Sequence, residues 1–197
     1  MIIGIDIDDT LTNIGTDINI AAYNYAKKLG KDVNNSENLL EAINNNAEFY
    51  KQNFKFNYEE LKYFLKNIQE EITSKAKPRD GVAKIIKKLR SEGHKVYIVT
   101  ARCTEFHNNP YELSKNWLDK NKIEYDKLIV NAREKATVCT KENIELFIDD
   151  QLNNCIEISN VGIKTIRISN DITQYENIVT IDNWNEIYSF IKEWSNK

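Results

Sequence analysis

The sequence predicts an α/β fold built on a parallel sheet, and two observations carry that expectation. Short apolar runs recur along the 197 residues, at MIIGI (1–5), KVYIV (95–99), KLIV (127–130), ELFI (145–148) and KTIRI (164–168). Each is continuous rather than alternating, as expected of strands buried on both faces of a parallel sheet. Amphipathic helical patterns separate them, and that alternation of strand and helix is the pattern of an α/β layer architecture.

The first run leads straight into Asp6. From Asn13 to Lys77 no strand-like run follows, only three helical patterns. TDINIAAYNYAKKLG sets Ile18, Ala21, Ala22, Tyr25 and Leu29 on one face. SENLLEAINNNAEFY starts at Ser36 and uses Leu39, Leu40, Ile43 and Tyr50. NYEELKYFLKNIQEEI opens on Asn57 and Glu60 at capping-box spacing and continues through Leu61, Phe64, Leu65, Ile68 and Ile72. The expectation is a helical module, residues 13–77, inserted after the first strand of a core made of 1–12 and 78–197. Within that core, DGVAKIIKKLRSEG places Val82, Ile85, Ile86 and Leu89 on one face, with Asp80 as N-cap and Gly93 as the stop. YELSKNWLDK contributes Leu113, Trp117 and Leu118, and DNWNEIYSFIKEWS contributes Trp184, Ile187, Ile191 and Trp194 at helical spacing.

Composition narrows the function classes. A net charge of −3 argues against a nucleic-acid polymer or a membrane surface as partner. No apolar run is long enough to span a bilayer, and no basic segment precedes a signal-like core. Cys103, Cys139 and Cys155 are an odd count without CxxC spacing, which disfavours a disulfide framework or a zinc site and points to a reducing, cytoplasmic setting. His94 and His107 are too few and too far apart in sequence for an imidazole metal site. The oligomeric state is not legible.

Chemistry is written at the strand ends. In open α/β sheets, ligands bind outside the carboxyl ends of the strands. The first strand is followed by DIDDT (6–10), the second by TAR (Thr100–Arg102), the third by NAREK with Lys135, and the fourth by Asp149 and Asp150. Any one of these alone reads as a solvated loop charge, but all four in this order after four consecutive strands do not. Like-charged carboxylates about 4 Å apart repel by roughly 4 kcal/mol at an effective dielectric near 20, so a cation belongs among them.

The pattern D6-I-D8-D9-T10, VT100, EK135 and FID149-D150 resembles the haloacid dehalogenase-like superfamily of phosphohydrolases, across nearly the whole chain. An Asp at position 9 stands where a Gly is more usual. The helical insert, the phrase IVTAR and the REK-TV stretch further resemble its 5′-nucleotidase (deoxyribonucleotidase-like) branch. That resemblance implies a three-layer Rossmann-like core with a cap, and a small phosphorylated metabolite, a nucleoside monophosphate, as substrate. It implies Asp6 as a nucleophile forming an aspartyl-phosphate. Asp8 becomes the acid that protonates the leaving alcohol and the base that activates water. It also implies Mg²⁺ held by Asp6, the Asp8 backbone carbonyl and one or both of Asp149 and Asp150. Thr100, the backbone N–H groups after it at Ala101 and Arg102, and the Lys135 ammonium would bind the phosphoryl oxygens, each such donor worth about 3–4 kcal/mol.

Lys141 competes for the lysine role; Lys135 is preferred because it follows the third strand directly. Arg102 reads equally as a substrate contact or as an outward salt bridge. Asp9 is expected to cap its turn rather than bind metal, and Cys103 to be a bystander. Among the aromatics Phe49, Tyr50, Phe54, Phe56 and Tyr58, most are expected to be cap core. Phe54 and Phe56, placed in a loop, are the two expected to face substrate. Three other readings compete: a phosphatase for sugar phosphates, a non-enzymatic phosphoacceptor, and a catalytically silent binding protein.

Overall fold

Six parallel strands lie at the centre of the protein in the order β3-β2-β1-β4-β5-β6. They are β1 (Ile2–Ile5), β2 (Lys95–Val99), β3 (Lys127–Ile129), β4 (Leu146–Asp149), β5 (Lys164–Ile168) and β6 (Ile178–Ile181). The structure is a computed structural model that describes residues 1–33, 39, 47–171, 173 and 175–195. Five strands match the apolar runs. β6 was not expected from the sequence: it is four residues long, borders the sheet, and follows Asn177 in the left-handed region at φ 63°. Helices α7 (Lys135–Lys141) and α8 (Leu152–Asn160) are likewise additional to the expected set. Each buries only two residues, too few for a visible stripe.

Register explains the layers. β1 pairs with β2 on one side, Ile3 opposite Val96, and with β4 on the other, Ile3 opposite Leu146. Successive side chains leave a strand on opposite faces. Ile3, Ile5, Val96, Ile98, Leu146 and Ile148 therefore join one core with α5 (Val82–Ser91) and α9 (Trp184–Ser195). Val99 and Phe147 join a smaller one with Cys139 of α7 and Ile158 of α8. This is the expected three-layer sandwich. In α5, Gly81 rather than Asp80 occupies the N-cap, in the left-handed region at φ 78° and without a side-chain cap bond. Gly93 ends the helix as expected, its N–H donating to the Arg90 carbonyl while the His94 N–H donates to Leu89.

The helical insert leaves after Leu11 and returns at Arg79, where the Arg79 N–H donates to the Leu11 carbonyl at 2.7 Å and Thr12 bridges to Pro78. Its α1 (Gly15–Lys28) buries Ile18, Ala22 and Ala26; Leu29 falls just beyond the helix and is exposed. The second pattern is seen as α2 (Ala47–Phe54), with Leu39 half-buried against the core. Ser36, Leu40 and Ile43 lie outside the described residues. The third pattern forms α3 (Tyr58–Tyr63), a π-helical stretch (Phe64–Gln69) and α4 (Glu70–Lys75). Its predicted capping box is present: Asn57 Oδ1 accepts the Glu60 N–H at 2.9 Å and Glu60 Oε2 accepts the Asn57 N–H at 2.8 Å. The insert and the sheet share one continuous apolar core. Trp117 on α6 (Pro110–Lys120) adds a bond from its indole N–H to the Ala76 carbonyl at 2.9 Å.

Gly4, in the middle of β1, has no room for a side chain. A Cβ there would lie 2.4 Å from Phe147 Cδ2 and 2.9 Å from Ile144 Cδ1. Gly4→Ala is expected to destabilise the protein by about 1–3 kcal/mol through overpacking, read as a lowered thermal midpoint with unchanged far-UV circular dichroism.

Candidate active site

The first strand delivers its carboxylates by continuing the ladder one step beyond its end. The Asp6 N–H donates to the Ile148 carbonyl at 3.0 Å, which fixes Asp6 beside the end of β4, where Asp149 and Asp150 stand. One carboxylate oxygen from each of Asp6, Asp149 and Asp150 falls within 4.8 Å of the others, and all three residues are buried. Lys135, the first residue of α7, reaches into the same place. Its ammonium lies 2.8 Å from Asp6 Oδ1 and 2.5 Å from Asp149 Oδ2, and it is 3% exposed. Lys141 is exposed at the other end of that helix, so of the two lysines it is Lys135 that meets the carboxylates.

The terminal acidic pair differs in its surroundings. Asp149 is heavily bonded: besides Lys135, its carboxylate accepts the Gln151 N–H at 2.9 Å and the Asn154 side-chain amide at 3.1 Å. Asp150 accepts from neutral donors among the described residues, the Thr10 hydroxyl at 3.1 Å and the Gln151 side-chain amide at 2.7 Å. Burial, reinforced by Asp149, Asp6 and Asp9, pushes the Asp150 carboxyl well above the usual range. Burial also raises Asp6 to about 7; the Lys135 ammonium pulls it down while Asp149 and Asp8 add to the rise. Burial alone would lower Lys135, yet Asp149 and Asp6 hold it well above an ordinary lysine.

Asp8 belongs to a different arrangement. Its side chain is turned to Arg102, whose Nε and Nη2 donate to the two carboxylate oxygens at 2.9 and 2.6 Å, while Nη1 donates to the Ser114 hydroxyl at 3.2 Å. Burial would raise the Asp8 carboxyl, but the Arg102 guanidinium holds it below the usual carboxylate range. Arg102 is thus a salt bridge, but one that faces into the site and not outward. Its side chain is buried, not outward, and three of its N–H directions are committed to protein groups. A bidentate fork of this kind fixes carboxylate geometry.

Thr100, at the end of β2, is 1% exposed; its hydroxyl accepts the Arg102 N–H at 3.3 Å and its own N–H donates to Ile129. Ala101 is exposed on the same rim. Asp9 caps its turn as expected: with φ at 56°, its Oδ1 accepts the N–H groups of Ile14 and Gly15, both at 2.8 Å. Arg79, which sequence reasoning did not single out, grips the same turn, donating from Nη2 to the Asp9 carbonyl and from Nε to the Thr12 carbonyl, both at 2.8 Å. Only its position just after the insert hints at this.

The expectation for Phe54 and Phe56 is corrected. Phe54 ends helix α2 instead of lying in a loop, and the two are 0% and 4% exposed. Their rings pack 6.0 Å apart, and Phe56 also lies 5.5 Å from Phe64 and 5.3 Å from Tyr25. Neither has a face left for a ligand. An aromatic cluster in a small helical module is core first, because rings bury more apolar area than any other side chain.

Comparison with known proteins gives the family and the fold. The family model described as 5′ nucleotidase, deoxy (Pyrimidine), cytosolic type C protein matches residues 1–195. A nucleotidase of Clostridium acetobutylicum is 31% identical over 137 residues, 68% of this chain and 69% of that protein. Among solved structures, a predicted phosphatase from Clostridium acetobutylicum superposes with a TM-score of 0.71 at 16% identity, covering 98% of each chain. A haloacid dehalogenase-like family hydrolase from Streptococcus pneumoniae gives 0.70 at 14% identity over 96% of this chain and 97% of that one. The likeness to these two structures is one of fold, and the family match adds the chemistry. The chain shares the fold of the haloacid dehalogenase-like hydrolase, belongs to the cytosolic type C 5′-nucleotidase family and is a phosphoric monoester hydrolase.

Proposed function

We propose that the protein is a Mg²⁺-dependent nucleotidase that removes phosphate from (deoxy)nucleoside monophosphates through an aspartyl-phosphate on Asp6. The observation that carries this reading is the charge count at the buried centre. Asp6, Asp149 and Asp150 share it with one cation, Lys135. With all three carboxylates ionised, one ammonium leaves two negative charges, the complement of a divalent ion. Without such an ion, burial favours the protonated forms of Asp6 and Asp150. The donor set is all oxygen, which suits a hard cation such as Mg²⁺ over a softer metal. Asp6 and Asp150 are the carboxylates best placed to hold it, with Asp149 more fully engaged by Lys135, Gln151 and Asn154. The Asp8 backbone carbonyl joins them by the family resemblance. When bound, such an ion neutralises the phosphoryl oxygens and orients them for in-line attack.

The side chains then divide the work. Asp6 attacks phosphorus, the bond to the ester oxygen breaks, and Asp8 gives that oxygen a proton. In the second half Asp8 takes a proton from water as the water attacks phosphorus, which frees the Asp6 carboxylate and inorganic phosphate. The Arg102 fork favours ionised Asp8, the form needed to activate water; protonation for the first half works against that pull. Lys135 and Thr100 bind the phosphoryl oxygens. The helical insert, 13–77, acts as a cap that excludes water and selects the alcohol. The nucleotide class follows the family description, and the cytoplasmic setting agrees with three buried free cysteines and with a family described as cytosolic.

Asp6→Asn is expected to abolish release of phosphate from thymidine 5′-monophosphate while circular dichroism and thermal midpoint report an intact fold. Measurable turnover by that variant rules out the covalent route. Asp8→Asn is expected to slow turnover by about 10²–10⁴-fold.

Removal of divalent ions with EDTA is expected to silence the enzyme, with activity restored by Mg²⁺ in excess; full activity after exhaustive chelation refutes metal dependence. Between the lysines, Lys135→Met is expected to eliminate activity and Lys141→Met to leave it at the wild-type level, both measured at saturating substrate.

A further inference from the structure

We propose that Asn108 is a positioning residue for Asp8, turning the docking of the helical insert into placement of the acid/base carboxylate through the loop 102–109; this rests on the phosphomonoesterase reading above. The loop joins two places otherwise far apart in the chain. At its start, Arg102 grips both Asp8 carboxylate oxygens at 2.9 and 2.6 Å. Near its end, Asn108 meets the insert. Its N–H donates to Glu70 Oε2 at 3.0 Å and its side-chain amide donates to the Lys66 carbonyl at 3.1 Å. A longer contact, from the Tyr58 hydroxyl to Glu105 Oε1 at 3.4 Å, joins the same loop to the same insert. Lys66 belongs to the π-helical stretch, after which the Glu70 N–H bonds to the Leu65 carbonyl, five residues back. Single π turns inside helices concentrate at functional positions, and this one presents the carbonyl that Asn108 holds.

What lies between Arg102 and Asn108 has little slack. The Cys103 carbonyl accepts the N–H groups of Phe106 and His107 at 3.1 and 2.9 Å and lies 3.3 Å from His107 Nδ1. Asn131 pins the first half: its N–H donates to the Arg102 carbonyl at 2.8 Å and its Oδ1 accepts the Thr104 N–H at 3.1 Å. Beyond Asn108 the chain enters α6 under an Asn109 cap, and Ser114 in that helix accepts from Arg102 Nη1 at 3.2 Å. Arg102 is therefore tied to both ends of the loop that carries Asn108. A loop braced in this way passes a displacement along its hydrogen bonds instead of absorbing it. The insert is also attached at its root, through Arg79 and Trp117, but those bonds end on main-chain carbonyls. The route through Asn108 ends on the Asp8 carboxylate. With the insert seated, that carboxylate is held for both halves of the reaction; with Asn108 released, the fork loses its brace. Asn108 acts on no substrate atom in this scheme, so the effect falls on the chemical steps and not on binding.

Asn108→Ala removes the side-chain bond to Lys66 at an exposed position. With thymidine 5′-monophosphate and Mg²⁺, kcat is expected to fall about tenfold while KM stays within about twofold. Glu70→Ala is expected to give the same loss, and Glu70→Gln, which keeps an acceptor for the Asn108 N–H, to stay within about twofold of wild type. The deciding measurement is the cycle with Asp8→Asn. In that background Asn108→Ala is expected to cost less than about twofold in kcat, because the group it positions is gone. A tenfold loss in both backgrounds, a raised KM at constant kcat, or unchanged kinetics with a lowered thermal midpoint overturns the assignment; the last would make Asn108 a structural brace alone. If the wild type releases no phosphate from thymidine 5′-monophosphate, the functional reading fails on its own. The connection is then read by nuclear magnetic resonance, as solvent exchange of the Arg102 Nε–H that donates to Asp8. Exchange faster by about tenfold in Asn108→Ala supports it, and an unchanged rate overturns it.

Discussion

One ammonium holds the centre of this protein together. Lys135 contacts both Asp6 and Asp149 from a position with almost no access to solvent. Burying an ion costs several kcal/mol even after relaxation, and a buried charge without a counter-ion is among the most destabilising features a fold can carry. The three carboxylates at the ends of β1 and β4 are tolerable in the native state because that one side chain lies between two of them. In the proposed reaction the same contact fixes where a phosphoryl group would meet both a carboxylate and a positive charge. Stability and function therefore depend on one geometry.

Two arginines extend this order outward, each in its own way. Arg102 ties the segment after β2 to Asp8 through paired hydrogen bonds, so a residue from one strand end orients a residue from another. Arg79 binds main-chain carbonyls at Asp9 and Thr12, joining the return of the insert to the turn that follows Asp6. The insert is therefore bonded to the turn after Asp6 and not merely packed above it. Neither arginine needs to touch substrate to matter, because each determines where another group points.

Much of this was legible in the sequence, for physical reasons that differ by element. The central strands were readable because a strand buried on both faces is apolar throughout. β6 was missed because a four-residue border strand with half-buried Val179 and Thr180 leaves no comparable run. That Asp6, Asp149, Asp150 and Lys135 come together was readable because all four follow strand ends on one rim of the sheet. The role of Arg102 was not, since a guanidinium beside a strand end looks the same in sequence whether it faces a ligand or another side chain. Phe54 and Phe56 went wrong for a related reason. Aromatic content near a site does not distinguish a ring that lines a cleft from one that fills a module's interior, and the small insert needed both rings for its own packing.

The placement of β1 carries a consequence for how the chain is made. It is the first segment of this sequence to be synthesised, yet its two neighbours in the sheet begin at Lys95 and Leu146. At translation speeds of about 5–20 residues per second, the second neighbour is completed roughly 7–30 s after the first strand leaves the peptidyl-transferase centre. Throughout that interval MIIGI is an apolar segment with unpaired edges, a hazard for aggregation at the ribosome. The helices of the insert are different: their contacts are local in sequence and can form while the rest is still being made. A nascent chain of this design therefore builds its helical insert before the strand that leads into Asp6 is shielded.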